Sequence, residues 1–123
     1  MSKKIFIIDD ADFMVNMLSM LMREAGYEVV GTALNGELAI ESIKSLPASA
    51  LPDVITLDFH MPKMDGMRTI KHIRVLVPGA KVVLISSDST LPVVMQAKNA
   101  GVDAFIIKPF EPQTVLSTIA RFE

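Results

Sequence analysis

The chain has 123 residues, a formal net charge of −2 and no cysteine. This length supports one domain with a substantial core. The absence of cysteine excludes disulfide scaffolds, thiolate zinc sites and cysteine nucleophiles, and the slightly acidic balance argues against a broad nucleic-acid-binding surface. No apolar run reaches membrane-spanning length, and the first residues lack the apolar region of a signal peptide. We therefore expect a soluble, cytoplasmic protein that binds neither nucleic acid nor membranes directly.

Short apolar runs predict five strands. Four of them precede a polar or charged residue: residues 5–8 before Asp9, 54–57 before Asp58, 82–85 before Ser86 and 104–107 before Lys108. A fifth, less uniform run covers residues 27–33. Runs of β-branched residues without alternation are typical of strands buried on both faces of a parallel sheet.

Segments with helical spacing follow each run. Three of them have apolar stripes: Phe13 to Met22, followed by Gly26 as a stop; Leu38 to Leu46, with Asn35 as a cap; and Met67 to Val77, followed by Pro78-Gly79. Two further helices are predicted to begin at Pro92 and Pro112. The methionines of the first helix are predicted to pack in the core rather than to form a recognition surface. Residues 45–52 are interpreted as a surface loop. A strand–helix unit repeated five times in one domain predicts an α/β fold with a doubly wound parallel sheet.

The residues that end the strands are the candidates for chemistry. Asp9, Asp10, Asp58, Ser86 and Lys108 would meet at one edge of the sheet, because ligands of open parallel sheets bind outside the carboxyl ends of the strands. Three carboxylates close together need a cation, a raised pKa or both. Oxygen ligands without histidine or cysteine favour Mg²⁺ over zinc. A metal beside an amine and a hydroxyl can hold phosphoryl oxygens, with Asp58 as the nucleophile.

Each of these residues alone has a simpler interpretation. An aspartate at a strand end is commonly a helix cap, Ser86 could open a helix, and Lys108 could be a solvated strand end. His60 and His72 are expected on the surface, without the spacing of a metal pair. The five strand-end residues are harder to explain by coincidence when taken together.

These residues also carry a family resemblance. Asp9-Asp10, the run Asp58-Phe59-His60-Met61-Pro62-Lys63-Met64-Asp65-Gly66, Ser86-Ser87 and Lys108-Pro109-Phe110 occur in the order found in the receiver domains of two-component response regulators. The chain resembles this CheY-like family over nearly its whole length. The resemblance implies a single receiver domain over residues 1–123, with a flavodoxin-like (βα)5 fold and strand order 2-1-3-4-5. It implies a phosphorylation-activated signalling switch rather than an enzyme.

The resemblance also implies a role for each site residue. Asp58 would accept a phosphoryl group from a histidine kinase, and Mg²⁺ would be bound by Asp10, Asp58 and the backbone carbonyl of His60, with Asp9 acting largely through water. Lys108 and Ser86 would contact the phosphoryl oxygens, and Lys108-Pro109 would be a cis peptide bond. Phe105 lies where the family has its aromatic switch residue, and it has no hydroxyl where many relatives carry tyrosine. His60 and Asp88 lie at positions that tune the lifetime of the phosphoryl group.

Partners follow from the resemblance as well. The kinase would be the phosphodonor, and phosphorylation would change the surface formed by the fourth helix, fifth strand and fifth helix to control a downstream protein. The opening Asp-Asp-Ala-Asp-Phe-Met resembles the chemotaxis group, whose stand-alone members bind a flagellar motor switch protein. The alternative is a receiver trimmed from a longer regulator with, for example, a DNA-binding output domain. Either a monomer or a phosphorylation-dependent dimer fits the sequence.

An enzymatic interpretation has weaker support. Asp10-Ala11-Asp12 resembles the Asp-x-Asp nucleophile motif of haloacid-dehalogenase-like phosphatases, which also use Mg²⁺. That interpretation leaves Asp58 and the run that follows it unexplained. All six glycines are isolated, so neither G-x-G-x-x-G nor a P-loop is present, and no cofactor other than Mg²⁺ is expected.

Overall fold

A five-stranded parallel sheet in the order β2-β1-β3-β4-β5 forms the centre of the molecule. The computed structural model describes residues 3–122. The strands are β1 (Lys4–Ile8), β2 (Glu28–Ala33), β3 (Val54–Leu57), β4 (Lys81–Ser86) and β5 (Ala104–Ile107). The predicted fold class and strand order are confirmed. β2, the least uniform of the predicted runs, lies at one edge of the sheet, and only Ala33 in it is buried.

One helix follows each strand. The helices are α1 (Asp12–Glu24), α2 (Gly36–Lys44), α3 (Gly66–Leu76), α4 (Leu91–Asn99) and α5 (Pro112–Ala120), with a short 3-10 turn at Ala48–Ala50 in the predicted surface loop. Helices α1 to α4 lie between consecutive strands, and α5 comes after the last strand. Asn35 caps α2 as predicted, because its side-chain oxygen accepts a hydrogen bond from the Leu38 N–H at 2.9 Å. Gly26 follows α1 with φ of 93°, a conformation that glycine adopts without a Cβ penalty.

The helices cover both faces of the sheet and create two apolar layers. Helices α2, α3 and α4 contribute side chains such as Ile43, Ile70 and Val93 to one layer. Helices α1 and α5 contribute side chains such as Leu18 and Val115 to the other. Alternate strand residues supply the two layers, and burying each large apolar side chain stabilises the fold by about 1.5–3 kcal/mol. No helix within residues 3–122 is long and apolar enough to cross a membrane.

The prediction for the methionines of α1 is only partly correct. Met22 is fully buried, but Phe13, Met17 and Met20 are 71%, 41% and 61% exposed. The buried side of α1 instead consists of Val15, Leu18, Ser19 and Met22. Apolar residues surround most of this helix, so their spacing alone does not indicate which side faces the sheet.

Candidate functional site

Three aspartates gather at the carboxyl edge of the sheet. Asp9 and Asp10 follow β1, Asp58 follows β3, and one carboxylate oxygen of each lies within 4.8 Å of those of the other two. The Asp58 N–H donates to the Ile8 carbonyl at 3.2 Å, which continues the pairing of β1 with β3 by one residue. Asp9 and Asp58 are buried, whereas Asp10 is exposed. The predicted acidic site is therefore present.

Lys108 reaches this cluster from β5. Its Nζ lies 2.7 Å from Asp9 Oδ2 and 3.3 Å from Asp58 Oδ2. Its backbone N–H donates to the Ser86 carbonyl at 2.9 Å, so the pairing of β4 with β5 directs the lysine toward the aspartates. The Lys108-Pro109 peptide bond is cis, as the resemblance implied.

The charges in the cluster do not balance. Two carboxylate oxygens within 4.8 Å of each other repel each other by roughly 3 kcal/mol or more at an effective dielectric constant of 20. Burial raises the pKa of Asp58 above its usual value of 3.8; the Lys108 ammonium opposes this increase, and the charges of Asp9 and Asp10 add to it. Burial lowers the pKa of Lys108, but the hydrogen bond to Asp9 and the two carboxylate charges outweigh burial and raise it overall. One ammonium thus faces three carboxylates, and negative charge is left over.

The donor set fits a hard divalent cation. The grouped ligand atoms are carboxylate oxygens from Asp9, Asp10 and Asp58, with no thiolate or imidazole among them. Such oxygens are the ligands that Mg²⁺ prefers, and a divalent cation would neutralise the surplus negative charge. The residues of the cluster are therefore suited to Mg²⁺.

Ser86 and Asp88 form a second set of polar contacts beside the cluster. Ser86 is fully buried at the end of β4, and its hydroxyl oxygen accepts a hydrogen bond from the Asp88 N–H at 3.0 Å. Asp88 Oδ1 accepts from the N–H and the hydroxyl of Thr90 at 3.0 and 2.7 Å. Sequence reasoning missed Thr90, although an Asp-x-Thr spacing is a known signal for such a turn.

A contact between two loops was also missed. His60 Nε2 lies 2.8 Å from Asp88 Oδ2, which joins the loop after β3 to the loop after β4. The hydrogen bond from His60, together with those from Thr90, lowers the pKa of Asp88 to about 2. Both residues were predicted to tune the lifetime of the phosphoryl group, but nothing in the sequence indicated that they are in contact.

Phe105 does not belong to the acidic cluster. It is half-buried in β5, paired in register with Leu84, and packs against the apolar layer under α2, α3 and α4.

The segment between Asp58 and α3 is fixed by a side-chain cap and by backbone contacts. Asp65 caps α3 by accepting a hydrogen bond from the Arg68 N–H at 2.9 Å. The Gly66 N–H donates to the Phe59 carbonyl at 3.0 Å. A Cβ at Gly66 would lie only 3.0 Å from the Asp58 carbonyl oxygen and from the Phe59 Cα. The capping role of Asp65 was not predicted, although an aspartate directly before a helical stripe is a signal for it.

Comparison with known proteins agrees with this geometry. The family model described as the response regulator receiver domain matches residues 5–120. The chain belongs to this family.

Its similarity to individual receivers extends over almost the whole chain. It is 41% identical to the chemotaxis protein CheY of Thermotoga maritima over 121 residues, covering 98% of both chains, and 37% identical to CheY of Bacillus subtilis over 121 residues, again covering 98% of both. A crystal structure of a CheX–CheY–BeF3–Mg²⁺ complex from Borrelia burgdorferi matches with 30% identity and a TM-score of 0.87, covering 97% of this chain and 87% of that one. A CheY-like receiver from Methanospirillum hungatei matches with 26% identity and a TM-score of 0.89, covering 98% of this chain and 93% of that one.

Membership of this family decides between the two classes of function. A CheY-like receiver is a phosphoacceptor signalling switch rather than a catalytic enzyme. The phosphatase interpretation of Asp10-Ala11-Asp12 is therefore wrong. Asp10 belongs to the acidic cluster, and Asp12 begins α1.

Proposed function

We propose that Asp58 accepts a phosphoryl group from a histidine kinase and that the phosphorylated receiver controls a partner protein in chemotaxis. One observation carries this proposal. Asp58 ends the central strand with its carboxylate beside Asp9 and Asp10 and 3.3 Å from the Lys108 ammonium. The similarity to two CheY proteins supports the assignment to chemotaxis.

The charges of the site suit phosphoryl transfer. An oxygen of Asp58 attacks phosphorus, and the bond from phosphorus to the kinase imidazole breaks, with its electron pair returning to the imidazole nitrogen. Lys108, held beside Asp58 by Asp9, is placed to meet the phosphoryl oxygens. Bound Mg²⁺, held by Asp10, Asp58 and the His60 carbonyl with Asp9 nearby, would supply positive charge that offsets the carboxylates and the phosphoryl oxygens.

Phosphorylation would change the surface through Ser86. The phosphoryl group adds a charge of about −1.5 to −2 and three acceptor oxygens. The Ser86 hydroxyl, which accepts a hydrogen bond from the Asp88 N–H at 3.0 Å, would lose that bond and donate a hydrogen bond to one of the phosphoryl oxygens. Phe105 could then turn into the space that Ser86 leaves, and this movement would reshape the surface of α4, β5 and α5.

That surface has the character of a protein-binding face. Leu91, Met95 and Ile107 on α4 and β5 are 72%, 46% and 54% exposed. A contiguous exposed apolar patch marks a site of association with other proteins, and we propose that these residues form one. The downstream partner would be a flagellar motor switch protein or, if the chain is part of a longer regulator, an output domain.

Three further properties belong to the same proposal. Residues 1–123 would form one receiver domain, and the protein would act in the cytoplasm, where histidine kinases transfer their phosphoryl groups. It would work either as a monomer or as a dimer that forms on phosphorylation. The Borrelia burgdorferi complex shows a CheY relative bound to another protein, CheX.

Intact mass spectrometry tests the proposal. We expect a single phosphoryl increment after incubation with acetyl phosphate and Mg²⁺, and no increment for Asp58→Asn or without Mg²⁺. Asp12→Asn is the matched control, because Asp12 is exposed at the start of α1; this variant should be phosphorylated like the natural protein. If neither acetyl phosphate nor a phosphorylated kinase modifies a folded sample, the proposal is wrong.

The contact between His60 and Asp88 should affect how long the phosphoryl group lasts. We propose that it restricts the access of water to Asp58, because it joins the two loops beside the site. Loss of one hydrogen bond corresponds to a rate change of about 2- to 10-fold, so we expect His60→Ala to lose its phosphoryl group faster by that factor in a time course followed by intact mass. His72→Ala, at an exposed position on α3, should behave like the natural protein. Equal rates for His60→Ala and the natural protein would contradict this role.

A further inference from the structure

A cavity opens between α3 and α4, formed by residues that the phosphorylation site does not use. Its volume is about 470 Å³, and it is lined by Met67, Ile70, Lys71, Arg74, Gln96, Asn99 and Ala100. Sites for small organic ligands usually have volumes of about 300–1,000 Å³ and combine an apolar wall with a few polar groups. The cavity has both properties, since Met67, Ile70 and Ala100 are apolar and the other four residues are polar.

One wall of the cavity is held rigidly by Arg74. Its Nη1 donates to the Ala80 carbonyl at 2.9 Å, and its Nη2 donates to the Gly101 carbonyl at 2.7 Å. Asp103 lies 3.4 Å from the same Nη2. These contacts join the end of α3 to the segment after α4, so this part of the cavity is formed before any ligand arrives. A preformed site loses less entropy when it binds.

The charge around the cavity is positive, although the chain as a whole is acidic. Helices α3 and α4 carry Arg68, Lys71, Arg74 and Lys98 and contain no aspartate or glutamate, whereas the net charge of the chain is −2. The Asp103 carboxylate partly neutralises Arg74. Lys71 forms no salt bridge with any carboxylate in the described part of the chain, residues 3–122. The unpaired cation in the lining is therefore Lys71, and it favours a negatively charged ligand group.

We propose that this cavity binds a small organic anion. The apolar part of the bound anion contacts Met67, Ile70 and Ala100, and the carboxylate of the anion forms an ionic contact with the ammonium of Lys71. The amides of Gln96 and Asn99 can donate further hydrogen bonds to that carboxylate. This binding site is separate from the phosphoacceptor function, and the proposal does not depend on phosphorylation of Asp58.

Nuclear magnetic resonance with octanoate tests the location of the site. Octanoate combines an apolar chain with one carboxylate, and it is added below its micelle concentration to the 15N-labelled natural protein. We expect saturable shifts of backbone amides concentrated in residues 67–74 and 96–101. Shifts that do not saturate, that spread over the whole surface, or that centre on the second cavity beside Met17 and Phe110 would overturn the proposal.

Two variants and an uncharged ligand test the chemistry. Lys71→Met should weaken octanoate binding by about 2- to 5-fold, the effect of one surface ionic contact, and should leave the binding of octanol unchanged. Lys44→Met is the matched control, because Lys44 is exposed on α2 and does not line the cavity.

Ala100→Phe should fill the cavity and abolish the binding of both ligands, with its fold checked by the amide spectrum. Equal losses in Lys71→Met and Lys44→Met, or undiminished binding to a folded Ala100→Phe, would contradict the proposed site.

Discussion

Two buried threonines illustrate how much depends on a single hydroxyl. Thr56 lies in the middle of β3 with 1% exposure, and its Oγ1 has no hydrogen-bond partner within residues 3–122. Thr69 in α3 is equally buried, but its hydroxyl donates to the Asp65 carbonyl at 2.8 Å. A buried polar group without a partner loses its hydration and gains nothing in return.

Replacing each threonine with valine should therefore have opposite effects. We expect Thr56→Val to raise the free energy of unfolding by about 1 kcal/mol, because it removes an unsatisfied hydroxyl. We expect Thr69→Val to lower the free energy of unfolding by about 1 kcal/mol, because it removes a hydrogen bond. Urea unfolding followed by circular dichroism measures both changes. A loss of stability in Thr56→Val as large as that in Thr69→Val would show that the Thr56 hydroxyl is satisfied.

At the level of elements, the segment between β3 and α3 packs closely against the backbone of Asp58 and Phe59, just after the central strand. Gly66 lies at the point where this segment turns back toward Phe59. Its missing Cβ allows the close approach, because such an atom would lie 3.0 Å from the Asp58 carbonyl oxygen and the Phe59 Cα and 3.1 Å from the Phe59 carbonyl oxygen. All three neighbours are backbone atoms, which cannot move aside as a flexible side chain would.

Gly66→Ala should consequently disturb both the fold and the site. We expect it to destabilise the protein by about 1–3 kcal/mol, the usual cost of overpacking, and to slow phosphorylation of Asp58. Thermal unfolding and the rate of the mass increment measure the two effects. Gly79→Ala is the control, since a Cβ there would meet nothing within 4 Å. If the two variants are equally stable and equally fast, the close approach at Gly66 is unimportant.

The elements differ in how well the sequence predicts them. Runs such as residues 54–57 predict buried strands correctly, because both of their faces must be apolar. The prediction for α1 fails at Phe13 and Met17, which are exposed, because this helix has apolar residues on more sides than the sheet can cover. The same difficulty affects α2, where the predicted Leu38 is 48% exposed and Ile40 is buried instead.

The site shows the same limit. The acidic cluster follows from sheet topology, since the ends of parallel strands meet at one edge. The contact between His60 and Asp88 depends on the conformations of two separate loops, and no periodicity describes these. The roles assigned to the individual site residues rest on family resemblance and stay predictions.

On the scale of the whole molecule, the site works against the stability of the fold. The pKa of Asp58 lies above its usual value of 3.8. Burial is the largest cause of this increase, and the charges of Asp9 and Asp10 add to it, whereas the Lys108 ammonium lowers the pKa. A carboxyl whose pKa is higher in the folded state than in the unfolded state favours folding while it is protonated. Its contribution is lost as the pH rises through the folded-state pKa. At neutral pH the ionised Asp58 therefore reduces stability.

Asp58→Asn should stabilise the molecule in the absence of Mg²⁺. We expect a gain on the order of 1 kcal/mol at neutral pH, measured by urea unfolding. The gain should shrink as the pH falls through the raised pKa toward 3.8, because the natural side chain then becomes neutral as well. Glu41→Gln, at an exposed position of α2, should show no such gain. A destabilised Asp58→Asn variant would indicate that the attraction between Asp58 and Lys108 outweighs burial and repulsion.

The pairing of Lys108 with Asp9 spans 99 positions of the sequence, and this has a consequence for protein synthesis. A polypeptide still growing on the ribosome cannot form the contact until β5 has been made and has joined the sheet. Contacts between such distant residues form late, because much of the chain must be ordered first. Incomplete or misfolded copies would have the aspartates without the lysine that pairs with them. If phosphorylation of Asp58 requires Lys108 to contact the phosphoryl oxygens, as proposed above, a phosphorylated molecule is one whose synthesis and folding had both reached β5.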